Sequence, residues 1–112
     1  MFVPDVMLKN LSGHRSIAVA MLESLLTDIP ERVEALAAAL AAGDLVVGQR
    51  EAHTIKGLGG NGGAPLLREL AAQAEDSCRE GRLDEARQQF SALRAEAERV
   101  IEEWRAFLVS PG

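Results

Sequence analysis

From Ile17 to Leu40 the chain places Ile17, Met21, Leu25, Ile29, Val33, Leu36 and Leu40 three or four residues apart. Near its other end Ala86, Phe90, Leu93, Ala97, Val100, Trp104 and Leu108 repeat the pattern. An α-helix returns side chains to one face at that spacing, whereas a strand alternates at every second residue. Two amphipathic helices of this length need other helices on which to bury their apolar faces. Composition points the same way, since 18 Ala and 15 Leu stand against 14 Val, Ile and Thr combined in 112 residues, with no Tyr. Such a bias favours helices over sheet.

The intervening sequence supplies two more helices. Gly43 stops the first stripe, and Asp44 is an N-cap for a segment carrying Leu45, Gly48, Ala52, Ile55 and Gly59. Pro65 opens a third segment with Leu66, Leu67, Leu70, Ala74 and Cys78, Gly81 ends it, and Asp84 is read as the cap of the last helix. Pro30 lies inside the first stripe, where it removes a donor and crowds the preceding turn, so a kink or split near Ile29 is expected. The stripe keeps its phase across Pro30, which favours one kinked helix over two. Residues 1–13 read as a short helical lead-in. The predicted architecture is an all-α, antiparallel four-helix bundle over 14–109 with a short extra N-terminal helix, in one domain spanning 1–112.

Several function classes drop out. The net charge is −5 with both signs mixed along the chain, so no basic stripe exists for nucleic acid. The longest uncharged run, Gly57 to Leu67, is short and rich in glycine, which is unsuited to a bilayer. Residues 1–13 lack the basic and apolar parts of a signal peptide, and the lone Cys78 fits a reducing, cytoplasmic setting. With only His14 and His53, and no cysteine or paired-carboxylate motif beside them, a zinc site is not expected.

One segment breaks the helical rules. Five glycines occupy Gly57 to Gly63, and each costs a helix about 1 kcal/mol relative to Ala. Propensity alone ends the helix at Gly57; the alternatives are a flexible connection or a glycine-paved helix crossing. Gly57, Gly59 and Gly62 have the spacing of a dinucleotide-binding turn, but no strand precedes them, and Ala64 and Pro65 follow where a phosphate loop needs Lys and Ser or Thr. If the helix continues, Gln49, His53, Lys56, Gly57 and Gly60 share one face while Ala52, Ile55 and Gly59 face inward. An imidazole there has small neighbours, one basic neighbour and open space for a docking partner.

The run Ala52-His53-Thr54-Ile55-Lys56-Gly57, continued by Gly60-Asn61 and Gly63-Ala64, resembles the phosphorylation motif of histidine-containing phosphotransfer (HPt) domains. Asp28-Ile29-Pro30-Glu31-Arg32, the Ala-rich run to Gly43-Asp44 and the long last helix follow the same layout, so the resemblance covers about residues 14–108. It departs at Leu58 and Gly59, where small Ser or Ala is common, and at Gly62, where an apolar side chain is usual. Leu58 bears on the partner surface, and Gly62 is expected to loosen the end of the helix.

The resemblance implies a phosphorelay carrier rather than an enzyme. His53 accepts a phosphoryl group from a receiver-domain aspartate, in a hybrid sensor kinase or a response regulator, and passes it reversibly to another. The receiver brings Mg²⁺ and the acceptor Asp, and this chain binds no cofactor. Lys56 offsets the charge of the phosphate, and Gln49, Gly57, Leu58 and Gly60 bear on docking and access. An imidazole suits the task because its ordinary pKa of about 6.5 leaves a free lone pair at neutral pH. If the chain turns near Gly62 to Ala64, His53 and Glu75 lie about ten and eleven residues either side, at similar heights given a rise of about 1.5 Å per residue. Glu75 is thus a candidate to hold Nδ1, leaving Nε2 to react, and the resemblance places Glu or Gln there. The plainer reading pairs Glu75 with Arg79 on the surface. Two other functions compete: the phosphoacceptor domain of a chemotaxis-type histidine kinase, and a helical interaction module in which His53 is unmodified. The chain is expected to be a monomer.

Overall fold

The computed structural model describes residues 2–5 and 14–109. Four α-helices follow in order: α1 Arg15–Ala42, α2 Leu45–Asn61, α3 Pro65–Arg79 and α4 Leu83–Val109. No strand occurs among the described residues. Short connections fold the helices antiparallel, with α1 against α2 and α4, and α3 against α2 and α4, closing a four-sided bundle 44 Å long. The predicted N-terminal helix over 1–13 lies outside the described residues apart from 2–5, of which Pro4 and Asp5 are helical.

Leu22, Leu25, Ile29, Leu36, Ile55, Leu67, Leu93, Val100 and Trp104 form the buried centre, with Ala52, Ala71, Ala74 and Ala97 between them. Helix α1 runs unbroken across the exposed Pro30, so the split does not occur. Ile29 and Val33 are buried on either side of it, and packing of this kind offsets the cost of about 3 kcal/mol for an interior proline. The start of α1 differs from the expected stripe: Ala18 and Leu22 are buried, while Ile17 is 50% exposed and Met21 half-buried. At about 100° per residue, Ala18 lies only about 20° around the helix from Leu25, whereas steps of four carry Ile17 about 80° away.

The helix ends account for their own polar groups. Gly43 adopts φ 71°, and the amides of Gly43 and Asp44 donate to the carbonyls of Leu40 and Ala39. Arg87 on α4 adds a hydrogen bond from Nε to the Leu40 carbonyl at 3.0 Å. Asp44 caps α2 as expected, its Oδ1 accepting the Val47 amide at 3.1 Å. Asp84 does not cap α4. The helix starts at Leu83, Ala86 donates back to the Arg82 carbonyl, and Asp84 lies in the first turn, where its charge suits the helix dipole.

Helix α2 continues through Gly57, Gly59 and Gly60 to Asn61. Its inward glycines explain why. A Cβ at Gly59 would lie 3.4 Å from the Arg68 backbone nitrogen, and one at Gly48 would lie 3.1 Å from the Cys78 sulfur. The missing side chains let α2 and α3 approach closely, and that packing holds the glycines in helical form.

Candidate functional site

The α2–α3 pair sets the height of every residue at the site. His53 projects from α2 with its side chain 66% exposed, and Glu75 projects from α3 with its side chain 10% exposed. Glu75 Oε2 lies 2.8 Å from His53 Nδ1, and the carboxylate's other oxygen, Oε1, receives Lys56 Nζ at 2.7 Å. One carboxylate therefore ties the imidazole and the ammonium together. Arg79, the alternative partner considered for Glu75, instead donates to Asp76 at 2.6 Å.

Burial by itself raises the Glu75 pKa, but hydrogen bonds from Lys56 and then His53, together with their charge, outweigh it and leave the group below its ordinary value. Glu75 is thus a carboxylate at neutral pH and accepts the Nδ1 proton. Fixing the proton there leaves the lone pair on Nε2, and no side chain among the described residues bonds to that nitrogen.

Lys56 lies one turn beyond His53, 27% exposed and engaged with Glu75 rather than free above the ring. Gln49, half-buried, stands one turn before His53. Gly57 is exposed, and a Cβ there would meet nothing within 4 Å, so this side of the imidazole is open. Gly60 differs, because the space above it holds the Arg68 side chain, with Cδ 3.1 Å and Nε 3.3 Å from a Cβ built on the glycine. Leu58 lies about 140° around the helix from His53, half-buried against the core.

Gly62 does not loosen the helix end. It is buried, and a Cβ there would lie 2.6 Å from Trp104 Cζ2 and 2.8 Å from Leu25 Cδ1. Trp104 Nε1 donates to the Gly62 carbonyl at 3.1 Å, so the indole fills the missing side chain's place and holds the backbone. The Phe2 ring packs edge-on against Trp104, and the Val3 amide donates to the Gly63 carbonyl at 2.6 Å, covering the turn.

The sequence reading passed over Trp104 and Arg68 in these roles. Trp104 was visible only as one more apolar position of α4. Arg68 was within reach of the residue count that pairs His53 with Glu75, because the same antiparallel register pairs Gly60 with Arg68.

No group of three or more His, Cys, Asp or Glu able to hold a metal occurs among the described residues. No described helix is long and apolar enough to cross a membrane. A surface depression lined by Pro30, Val33, Ala97 and Ile101, with Glu34, Arg94 and Glu98 at it, lies on the α1–α4 side and not beside His53. What the site around His53 offers is an accessible imidazole with one nitrogen held and the other free.

The Hpt domain family profile matches residues 20–103. Histidine-containing phosphotransfer protein B (HptB) from Pseudomonas aeruginosa superposes with a TM-score of 0.88 at 27% identity, over 96% of this chain and 93% of that one. The HPT domain of the Hpt sensor hybrid histidine kinase from Shewanella superposes with a TM-score of 0.87 at 23% identity, over 96% and 92% of the two chains. No curated protein sequence matches the chain.

Proposed function

The chain belongs to the Hpt domain family, and from that premise we propose that His53 is the residue on which it carries the phosphoryl group. It is a phosphorelay histidine carrier and not itself a catalyst. The observation that supports His53 is the Glu75 hydrogen bond to Nδ1 at 2.8 Å on a side chain otherwise open to solvent.

The transfer balances as follows. The Nε2 lone pair attacks the phosphorus of a receiver's aspartyl phosphate, a P–N bond forms, and the P–O bond breaks with its electrons going to the aspartate. No proton need move. The ring gains a positive charge, and that charge lies against Glu75. Transfer to a second receiver reverses the step, and the positive ring makes Nε2 a better leaving group. Lys56 shares the excess negative charge of the phosphorylated state by turning from Glu75 toward the phosphoryl oxygens. Mg²⁺ and the acceptor Asp belong to the receiver, whose contribution is most of the transition-state stabilisation. Gln49, Gly57 and Gly60 lie on the docking side.

The carrier acts as one domain over 1–112, as a cytoplasmic monomer that binds no cofactor. Among the described residues the exposed large apolar side chains Ile17, Val46, Leu66 and Val109 occur one per helix. Nothing in the site or the comparisons favours a chemotaxis-kinase domain or an unmodified interaction module.

Phosphoramidate labelling followed by mass spectrometry tests the assignment. An acid-labile adduct is expected on wild-type protein and on His14→Gln, and none on His53→Gln. An adduct that survives in His53→Gln overturns it.

A further inference from the structure

Resting on the carrier reading, we propose that Arg68 is a second docking contact of this site, a seated cation that engages a carboxylate on the surface of the receiver domain. Among the described residues each other arginine has a partner: a carboxylate or carbonyl for Arg32, Arg50, Arg79, Arg82, Arg87, Arg94, Arg99 and Arg105, and the Phe107 ring for Arg15. The Arg68 guanidinium has none, although the chain carries 17 acidic residues and a net charge of −5. Among the described arginines, Arg68 is thus the one whose charge is left for a partner outside the bundle.

Its position is defined. Gly60 stands seven residues beyond His53 on α2, and Arg68 stands seven before Glu75 on α3, so the two pairs share one antiparallel register. Seven residues turn the helix through nearly two full turns, which puts the Gly60 seat on the His53 face about 10 Å along it. The Arg68 stem rests where a Gly60 side chain would stand, with Cδ and Nε 3.1 and 3.3 Å from that point. The glycine thus leaves room for an arginine stem on the His53 face, about 10 Å along the helix from the imidazole, with the open Gly57 between them. A receiver that brings an aspartyl phosphate to Nε2 covers this stretch. A planar guanidinium matches a carboxylate through paired hydrogen bonds, so the complementary group on the receiver is a carboxylate about 10 Å from its phosphoacceptor aspartate.

The test uses the full chain and a purified receiver domain from the same organism, selected because it exchanges phosphate with the wild-type protein. Binding is measured by calorimetry at low and high salt, with wild-type His53 and with His53→Gln. At low salt Arg68→Ala is expected to weaken binding about fivefold and Arg68→Glu about twentyfold or more, with most of the loss gone at high salt. Arg68→Lys retains part of the affinity, and reversing the matching carboxylate on the receiver restores binding to Arg68→Glu. Phosphoramidate labelling of His53 proceeds at the wild-type rate in all three variants, showing an intact fold and acceptor. Binding by Arg68→Glu within twofold of wild type at low salt overturns the proposal, as does a loss that persists undiminished at high salt. Failure of wild-type protein to label on His53 overturns the carrier assignment instead, and the His53→Gln binding series still reads Arg68.

Discussion

The two sides of α2 use the same residue for opposite ends. On the outward side, Gly57 leaves open space beside His53, and Gly60 leaves a seat for a flexible arginine stem. On the inward side, Gly59 lies against the α3 backbone, and Gly62, just past the helix end, lies under an indole with no room for a methyl group. Outward, a missing side chain gives access at some cost in helix stability. Inward, it gives contact, and the packing it permits offsets that cost. Helix propensity counts all four glycines alike, yet their surroundings decide whether each weakens or secures the helix.

The largest effect should come from the filled side. Trp104→Ala removes the indole over Gly62 and the hydrogen bond to its carbonyl, and is expected to destabilise the fold by about 3–5 kcal/mol in denaturant titrations. Gly62→Ala forces a methyl group against the ring and against Leu25, with an expected loss of about 1–3 kcal/mol. If the two residues fill one space, the double variant loses less than the sum of the singles. Strict additivity would break that side of the comparison.

The open side predicts a gain. Gly57→Ala puts a Cβ where nothing lies within 4 Å and should stabilise α2 by about 0.5–1 kcal/mol. Phosphotransfer from a receiver should slow in the same variant while phosphoramidate labelling does not. Greater stability with unimpaired transfer would show that the space is not used for docking.

The smallest effect concerns Glu75. Its carboxyl titrates lower in the folded protein than in the unfolded chain. Its contribution to stability is therefore complete above the unfolded value, about pH 4.3, and is lost as pH falls through the folded one. The stability gap between wild type and Glu75→Gln should narrow over that acidic window. A gap that stays constant from neutral to acid pH would place the stabilisation elsewhere.

Much of this was legible beforehand. The stripes located all four helices because burial on one face follows a period that sequence displays. The Asp44 cap and the αL Gly43 were readable because they are local. The height of Glu75 against His53 followed from counting, since α2 and α3 rise at a common rate from one short turn. Three features were not readable. Ile17 and Met21 are chemically as apolar as Ala18 and Leu22, and only the neighbouring helices select between the pairs. Asp84 and Arg82 compete for the start of α4, and the turn from Cys78 to Arg82 decides for the arginine's backbone. Gly62 depends on Trp104, 42 residues away, a distance at which local rules are silent.

Cys78 lies 3% exposed, and its sulfur fills the space a Gly48 side chain would take. Burial holds its thiol above the ordinary pKa, so in the closed bundle it is both covered and protonated. It is also the chain's single cysteine. A thiol reagent therefore reacts only during moments when the packing around Cys78 opens, and its rate of capture counts those openings. The bundle thus contains its own clock, one native atom at the α2–α3 contact whose chemistry records how often the packing there lets go.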